Sequence, residues 1–237
     1  MNDRQKMVEE LMQHPLKSDD EFLFRCDQCG ECCKDRADIL LSPFDLCRIS
    51  KALEETLPDA MDKYGFLYLG ETSKFPLVSL VMREDNGRCP FLNDDNRCGI
   101  HMYKPSVCAL FPLGRCASRQ NDRTDIFYIL QPTDCGYDDE IHTPREWMGG
   151  FNLEESEQWF AAWQDIVMEI SERIRDILPK LPGEVGNEML SGIAQILYLR
   201  YHVDQPLLPQ VKENGILAGK MISMLENTIM TYQKMHN

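Results

Sequence analysis

Cysteine is distributed unevenly along this chain, and that distribution limits the folds available to it. All ten cysteines of the 237 residues lie between Cys26 and Cys135, and four of them stand in the single segment CDQCGECC, Cys26 to Cys33. Residues 136–237 contain none. So many thiols in one half of a chain indicate that metal ligation or disulfides, and not an apolar core alone, organise that half.

The N-terminal sequence favours metal over disulfides. MNDRQKMVEELMQHPLKSDDEF carries a charge every few residues and contains no apolar segment typical of a secretion signal. No later run approaches the length of a membrane-spanning helix. We therefore expect a soluble, cytoplasmic protein with no membrane partner, in a reducing compartment where structural disulfides rarely persist.

The charge balance narrows the class of partner. The chain has 25 Lys and Arg against 39 Asp and Glu, a formal net charge of −14 at pH 7. Because such a surface repels phosphate, nucleic acid is not expected as a partner. A protein partner with a basic surface would suit this charge better.

The cysteine-rich half shows only short regular elements. Met1 to Gln13 has a short amphipathic helical pattern, and Ser42, Pro43 and Asp45 form a start signal for a helix over about Pro43 to Glu55. Lys74 to Met82 and Asp125 to Leu130 have the composition of strands. Between them, Arg88 to Cys116 contains three prolines and is predicted to be loop.

Helical periodicity dominates from Leu153 onward. Apolar residues including Trp159 and Trp163 recur on one face until Pro179, and we expect both indoles in the core. Two more helices are predicted over Asn187 to His202 and Gln210 to Met235. The expected fold is α+β and mostly helical: an irregular cysteine-rich domain with short strands and an N-terminal helix over residues 1–150, then an α-helical C-terminal bundle over residues 151–237 packed on it.

The spacing of the first cysteines points to an iron–sulfur cluster. Cys26, Cys29 and Cys32 form C-x2-C-x2-C, which wraps three corners of a [4Fe–4S] cluster in ferredoxins, where a Cys-Pro pair often supplies the fourth. Cys89-Pro90 is such a pair. Gly30 permits the positive φ angle that directs backbone N–H groups toward a cluster.

A second set of four thiols is also available. Cys33 cannot easily share a metal with its neighbour Cys32, but with Cys98, Cys108 and Cys135 it could complete a second site, so that eight cysteines would hold two clusters. A purely structural Zn²⁺ site is the alternative. His101 follows Cys98 at C-x2-H spacing and could bind zinc, although a hydrogen-bonded loop histidine is the simpler interpretation.

Several other residues receive structural interpretations. Cys47 and Cys116 lack ligand spacing and are expected to be small buried side chains or incidental thiols. The acidic segment Tyr137 to Glu140 is expected to be a solvated loop. Gly183 and Gly186 are expected in a loop, since no G-x-G-x-x-G follows a strand.

The ordered cysteine elements resemble the YkgJ-type CxxCxxCC cysteine-cluster family, described as zinc- or iron-chelating proteins and including flagellin lysine N-methylase. The resemblance covers roughly residues 25–150 and implies that the family's eight cysteines are Cys26, Cys29, Cys32, Cys33, Cys89, Cys98, Cys108 and Cys135. The elements that carry it are Cys26-x2-Cys29-Gly30-x-Cys32-Cys33, Cys89-Pro90-Phe91-Leu92, Arg97-Cys98-x-Ile100, Pro105-x2-Cys108, Phe111-Pro112 and Cys135-Gly136.

Three functions are compatible with these residues. The first is a metal-binding protein carrying one or two iron–sulfur clusters in a redox or maturation role. The second is a structural zinc module that mediates protein contacts. The third, implied only by the resemblance, is an enzyme that methylates lysine in proteins and uses S-adenosylmethionine.

Overall fold

Helices predominate in the computed structural model, which describes residues 11–36, 38–120, 123–153 and 155–236, with the backbone alone at 120 and 232–236. The helix expected over Met1 to Gln13 lies almost entirely outside these residues. The α+β, mostly helical class predicted from the sequence is confirmed. The helices are α1 (Pro43–Leu53), α2 (Leu57–Tyr64), α3 (Ser106–Leu110), α4 (Pro144–Gly149), α5 (Ser156–Ile177), α6 (Gly183–Leu199) and α7 (Leu207–His236).

The strands form three small antiparallel sheets within the described residues. Strand β1 (Phe22–Arg25) pairs with β7 (Tyr137–His142). Strands β2 (Leu40–Leu41), β4 (Pro76–Leu80) and β3 (Gly65–Leu69) lie side by side in that order. A hairpin joins β5 (Leu113–Gln120) to β6 (Arg123–Leu130), with Leu113 opposite Leu130.

Local start signals explain where two of the helices begin. Ser42 accepts a hydrogen bond from the backbone N–H of Asp45, whose carboxylate in turn accepts from the backbone N–H of Ser42, with Pro43 at the first helical position. Thr143 and Glu146 repeat this reciprocal arrangement before α4. Such capping boxes satisfy N–H groups that have no partner inside the helix.

Residues from both halves of the chain share one hydrophobic core. Phe75, next to β4, makes an edge-to-face ring contact with Trp163 of α5, and the Tyr198 hydroxyl of α6 donates to the carbonyl of Pro76 at 3.0 Å. Trp159 and Trp163 stack at 5.8 Å between ring centroids. Both indoles are buried, as predicted. The C-terminal helices therefore complete the core on which the cysteine loops rest.

Several boundaries differ from those expected. The acidic segment at Tyr137 is not a loop: it is strand β7, fixed to β1 by the paired hydrogen bonds of Arg25 with Asp139. Gly183 and Gly186 are not in a loop either, because they lie in the first turn of α6. The segment from Arg88 to Cys116 contains α3 and the start of β5 as well as loop.

Other elements shift by a few residues. Helix α5 begins at Ser156 and not at Leu153, and α7 begins at Leu207 and not at Gln210. The strand expected from Lys74 is shorter and begins at Pro76. Helix α2 and strands β1 and β3 were not predicted: all three are short, and β1 pairs with a strand more than 100 residues away.

The Asp45 carboxylate connects α1 to α3. It is 2% exposed, and its two oxygens accept four hydrogen bonds, from the N–H and hydroxyl of Ser42 and of Ser106. Ser106 is the first residue of α3. A buried carboxylate that accepts four hydrogen bonds stabilises the folded state much more than a surface ion pair does.

Replacing Asp45 with alanine should therefore lower the free energy of unfolding by about 3 kcal/mol, because it leaves buried donors without acceptors. The matched control is Asp59→Ala, which removes an exposed residue at the equivalent position of α2 and should cost less than about 1 kcal/mol. Denaturant unfolding measures both. Equal losses in the two variants would contradict the role given to Asp45.

Candidate metal centre

The first cysteine motif folds into a tight turn after β1. Residues Glu31–Cys33 form one turn of 3-10 helix, which Gly30 precedes with φ of 76°. A β-carbon at Gly30 would meet the carbonyl oxygen of Asn96 at 2.9 Å. Glycine is thus required both for the left-handed backbone and for close approach to the loop between Cys89 and Cys98.

Backbone pairing brings the distant cysteines together. The N–H of Cys89 donates to the carbonyl of Cys33 at 2.8 Å, and Lys34 and Arg88 form an isolated antiparallel bridge beside it. A second bridge pairs Leu92 with Cys98. Cys33, Cys89 and Cys98 therefore lie on three adjoining pieces of backbone.

Arginine side chains satisfy carbonyls of these loops. Arg83 donates to the carbonyls of Pro90 and Leu92 at 2.9 and 3.0 Å. Arg48 donates to the carbonyls of Met102 and Lys104. Loops with few ladder hydrogen bonds need such partners for their buried polar groups.

Six of the eight predicted ligands line one cavity of about 190 Å³. The Sγ atoms of Cys32 and Cys33 are 3.9 Å apart within it. The remaining walls combine apolar side chains with the cationic groups of Arg36 and Lys104. The six cysteines are Cys26, Cys32, Cys33, Cys89, Cys98 and Cys108.

The other two predicted ligands lie beside this cavity. Cys29 is near enough to Cys135 for their charges to interact, and Cys135 shares an adjoining surface pocket with Cys32. The hydroxyl of Thr133 is 3.2 Å from Cys135 Sγ. The expected second set joined Cys33, Cys98 and Cys108 to Cys135. In the structure these three cysteines instead line the same cavity as Cys32 and Cys89, and Cys135 lies outside it.

Four of the thiols that line the cavity favour their protonated form. Burial raises the pKa of Cys89 to about 11 and also raises the pKa of Cys98 and of Cys108. The pKa of Cys32 is raised by its hydrogen bond with Cys33 and then by burial, whereas the charge of Lys104 acts in the opposite direction. Because thiolate is the ligand form, a bound metal must displace these protons.

All ten cysteines are free thiols, so no pair is joined as a disulfide. Among the described residues, no three His, Cys, Asp or Glu side chains are arranged to hold a single ion. The cysteines therefore surround a space without closing on one point of it. The donor set, of soft sulfur atoms, fits zinc or an iron–sulfur cluster and does not fit calcium or magnesium.

His101, Cys47 and Cys116 differ in burial and in distance from the cavity. His101 lines the cavity, and burial lowers its pKa. Its ring packs on that of Phe151 at 5.4 Å between centroids, and the hydrogen bond expected for this histidine stays a prediction. Cys47 is buried in the core, as expected, and Cys116 is half-buried in β5 away from the cavity.

Sequence reasoning missed two of the three cationic residues that line the cavity, Arg36 and Lys104; the third is Arg97. Arg36 follows the motif by three residues and Lys104 precedes Pro105, which are positions the spacing of cysteines does not single out. A search for basic residues close to each cysteine could have found both. Their positive charge would offset the negative charge of bound thiolates.

No helix of the described residues is long and apolar enough to cross a membrane. Comparison with curated proteins and with solved structures gives no significant match. The CxxCxxCC family model, described as a "putative zinc- or iron-chelating domain", matches residues 25–136, which is the segment that contains every cysteine lining the cavity. Residues 25–136 are thus similar to the CxxCxxCC family, over slightly less than half of the chain.

Proposed function

We propose that this chain is an iron–sulfur protein that holds a [4Fe–4S] cluster in the cysteine-lined cavity. The observation that carries the proposal is the arrangement of the thiols: six border one cavity, which is more than the four ligands that a single tetrahedral Zn²⁺ takes. Such an arrangement suits a group of several atoms better than one Zn²⁺.

The cavity volume supports this preference. Tetrahedral zinc with Zn–S bonds near 2.3 Å needs its sulfurs about 3.8 Å apart on all six edges of the tetrahedron, and Cys32 and Cys33 meet that spacing at 3.9 Å. The cavity of about 190 Å³, however, is far larger than the roughly 15 Å³ that one water molecule needs. A cubane of iron and sulfide would occupy space that a zinc ion would leave open.

The inner ligands are Cys32, Cys89, Cys98 and Cys108. Cys32 interacts electrostatically with each of the other three, and Cys89 also interacts with Cys98 and Cys108. The other four cysteines are available to a second cluster: Cys26 and Cys33 also border this cavity, whereas Cys29 and Cys135 lie beside it.

When bound, the cluster would supply one-electron redox chemistry. The chain's own residues would set its surroundings: Arg36 and Lys104 offset the charge of the thiolates, while Ile39, Leu80 and Phe91 limit access of water. We assign the protein a redox or maturation role in the cytoplasm, with a basic protein surface as partner, in keeping with its net charge of −14.

Analysis of oxygen-free material tests the cofactor. Protein purified and reconstituted without oxygen should contain iron and acid-labile sulfide in about equal amounts, with a visible absorption band that bleaches on reduction. Zinc in place of iron, with no sulfide, would sink the proposal in favour of a structural zinc module.

Single substitutions test the inner ligands. Cys108→Ser should lose most of the iron and lower the free energy of unfolding of the loaded protein by on the order of 3 kcal/mol, since metal binding stabilises only the folded chain. Cys116→Ser is the matched control, a half-buried thiol outside the cavity, and should retain its iron. Iron retained by both variants would show that the inner set is wrong.

The same assay separates one cluster from two. If two are present, Cys135→Ser should keep about half of the iron and sulfide, because the inner four thiols are intact. If only one is present, this variant should match the unaltered protein.

A further inference from the structure

A second and larger cavity lies between the two halves of the chain. Its volume is about 570 Å³, within the usual range of small-molecule pockets. Strand β5 lines one side with Leu113, Arg115 and Ala117, which share one face of the strand, and with the neighbouring Cys116. Helix α5 lines the other with Phe160, Trp163, Gln164 and Val167, at the spacing of one helical face.

Most of the lining is apolar, and three charged side chains interrupt it: Asp38, Asp45 and Arg115. Asp38 accepts the paired hydrogen bonds of Arg36, and the oxygens of Asp45 accept from Ser42 and Ser106. Arg115, by contrast, makes no ion pair with any described residue, although Asp45 and Glu157 are near enough for their charges to stabilise it. It is the cation of this cavity.

Arg115 is held rigidly but is only partly satisfied. Its Nη1 donates to Ser156 Oγ at 2.7 Å, and its guanidinium lies over the ring of Phe160 at 4.2 Å from the centroid. Its Nε is buried and has no hydrogen-bond partner. Burial lowers the pKa of this side chain, which reflects the cost of a desolvated charge.

An unpaired buried donor on a fixed cation is unusual in a folded protein, because the group loses its hydration without compensation. A ligand that filled the apolar part of this cavity and presented an acceptor to the Arg115 guanidinium would compensate its charge. The planar guanidinium is well suited to a carboxylate.

We propose that this cavity binds a small carboxylic acid with an apolar body, with the carboxylate on Arg115 and the apolar part between β5 and α5. Its occupation does not depend on which metal the cysteines hold. Val107 of α3 lines both cavities. Every other lining residue belongs to only one of them.

A matched pair of probes tests the proposal on the unaltered, metal-loaded protein. Isothermal titration calorimetry should show saturable binding of 4-phenylbutyrate, and its uncharged amide should bind at least about tenfold more weakly, because a charge-assisted hydrogen bond is lost. Equal affinities for acid and amide, or no saturable binding of the acid, would overturn the proposal.

Two variants locate the site. Arg115→Gln should remove the preference for acid over amide, and Ala117→Phe should weaken binding of both probes at least about tenfold by filling the cavity. Both variants should keep the metal content of the unaltered protein, which also shows that they fold. Undiminished binding to folded Ala117→Phe would place the probes elsewhere and refute the assignment.

Discussion

The buried carboxylate of Asp45 is the interaction on which the arrangement of the cysteine loops depends. One oxygen closes the start of α1, and the other accepts from the first residue of α3, 61 positions later in the chain. Helix α3 carries Cys108 into the metal cavity. The same short helix borders the second cavity through Ser106 and Val107. A single side chain thus fixes a wall common to both sites.

Hydrogen bonds from arginine compensate for the scarcity of regular structure around the thiols. Arg48 and Arg83 each reach carbonyls on loops that neither sheet nor helix would satisfy. Hydrogen bonds within the protein therefore help to define the conformation of these loops. Because a buried thiol such as Cys32 favours its neutral form, a metal that binds it must displace the thiol proton. The positive charges of Arg36 and Lys104 at the cavity wall favour the thiolate and so assist binding.

Structural features that depend on neighbouring residues could be predicted from the sequence, whereas contacts between distant segments could not. The capping residues of α1 were predicted because Ser42, Pro43 and Asp45 act within four positions of each other. Strand β7 was missed because its exposed acidic residues have no apolar alternation, and only β1, more than 100 residues away, makes it a strand. The grouping of Cys33 with Cys89 likewise depends on a backbone hydrogen bond between distant loops. Arg115 gave no signal, because its cavity exists only where α5 faces β5.

The shared core has a consequence for how the protein can be divided. Phe44 packs on Trp159, and Phe75 on Trp163, across the boundary at which the family match ends. In a fragment that ended at residue 136, Phe44 and Phe75 would lose these contacts and become exposed to water. The exposed apolar surface would promote self-association. The hydrophobic core of the matched segment therefore extends into the helices beyond residue 136.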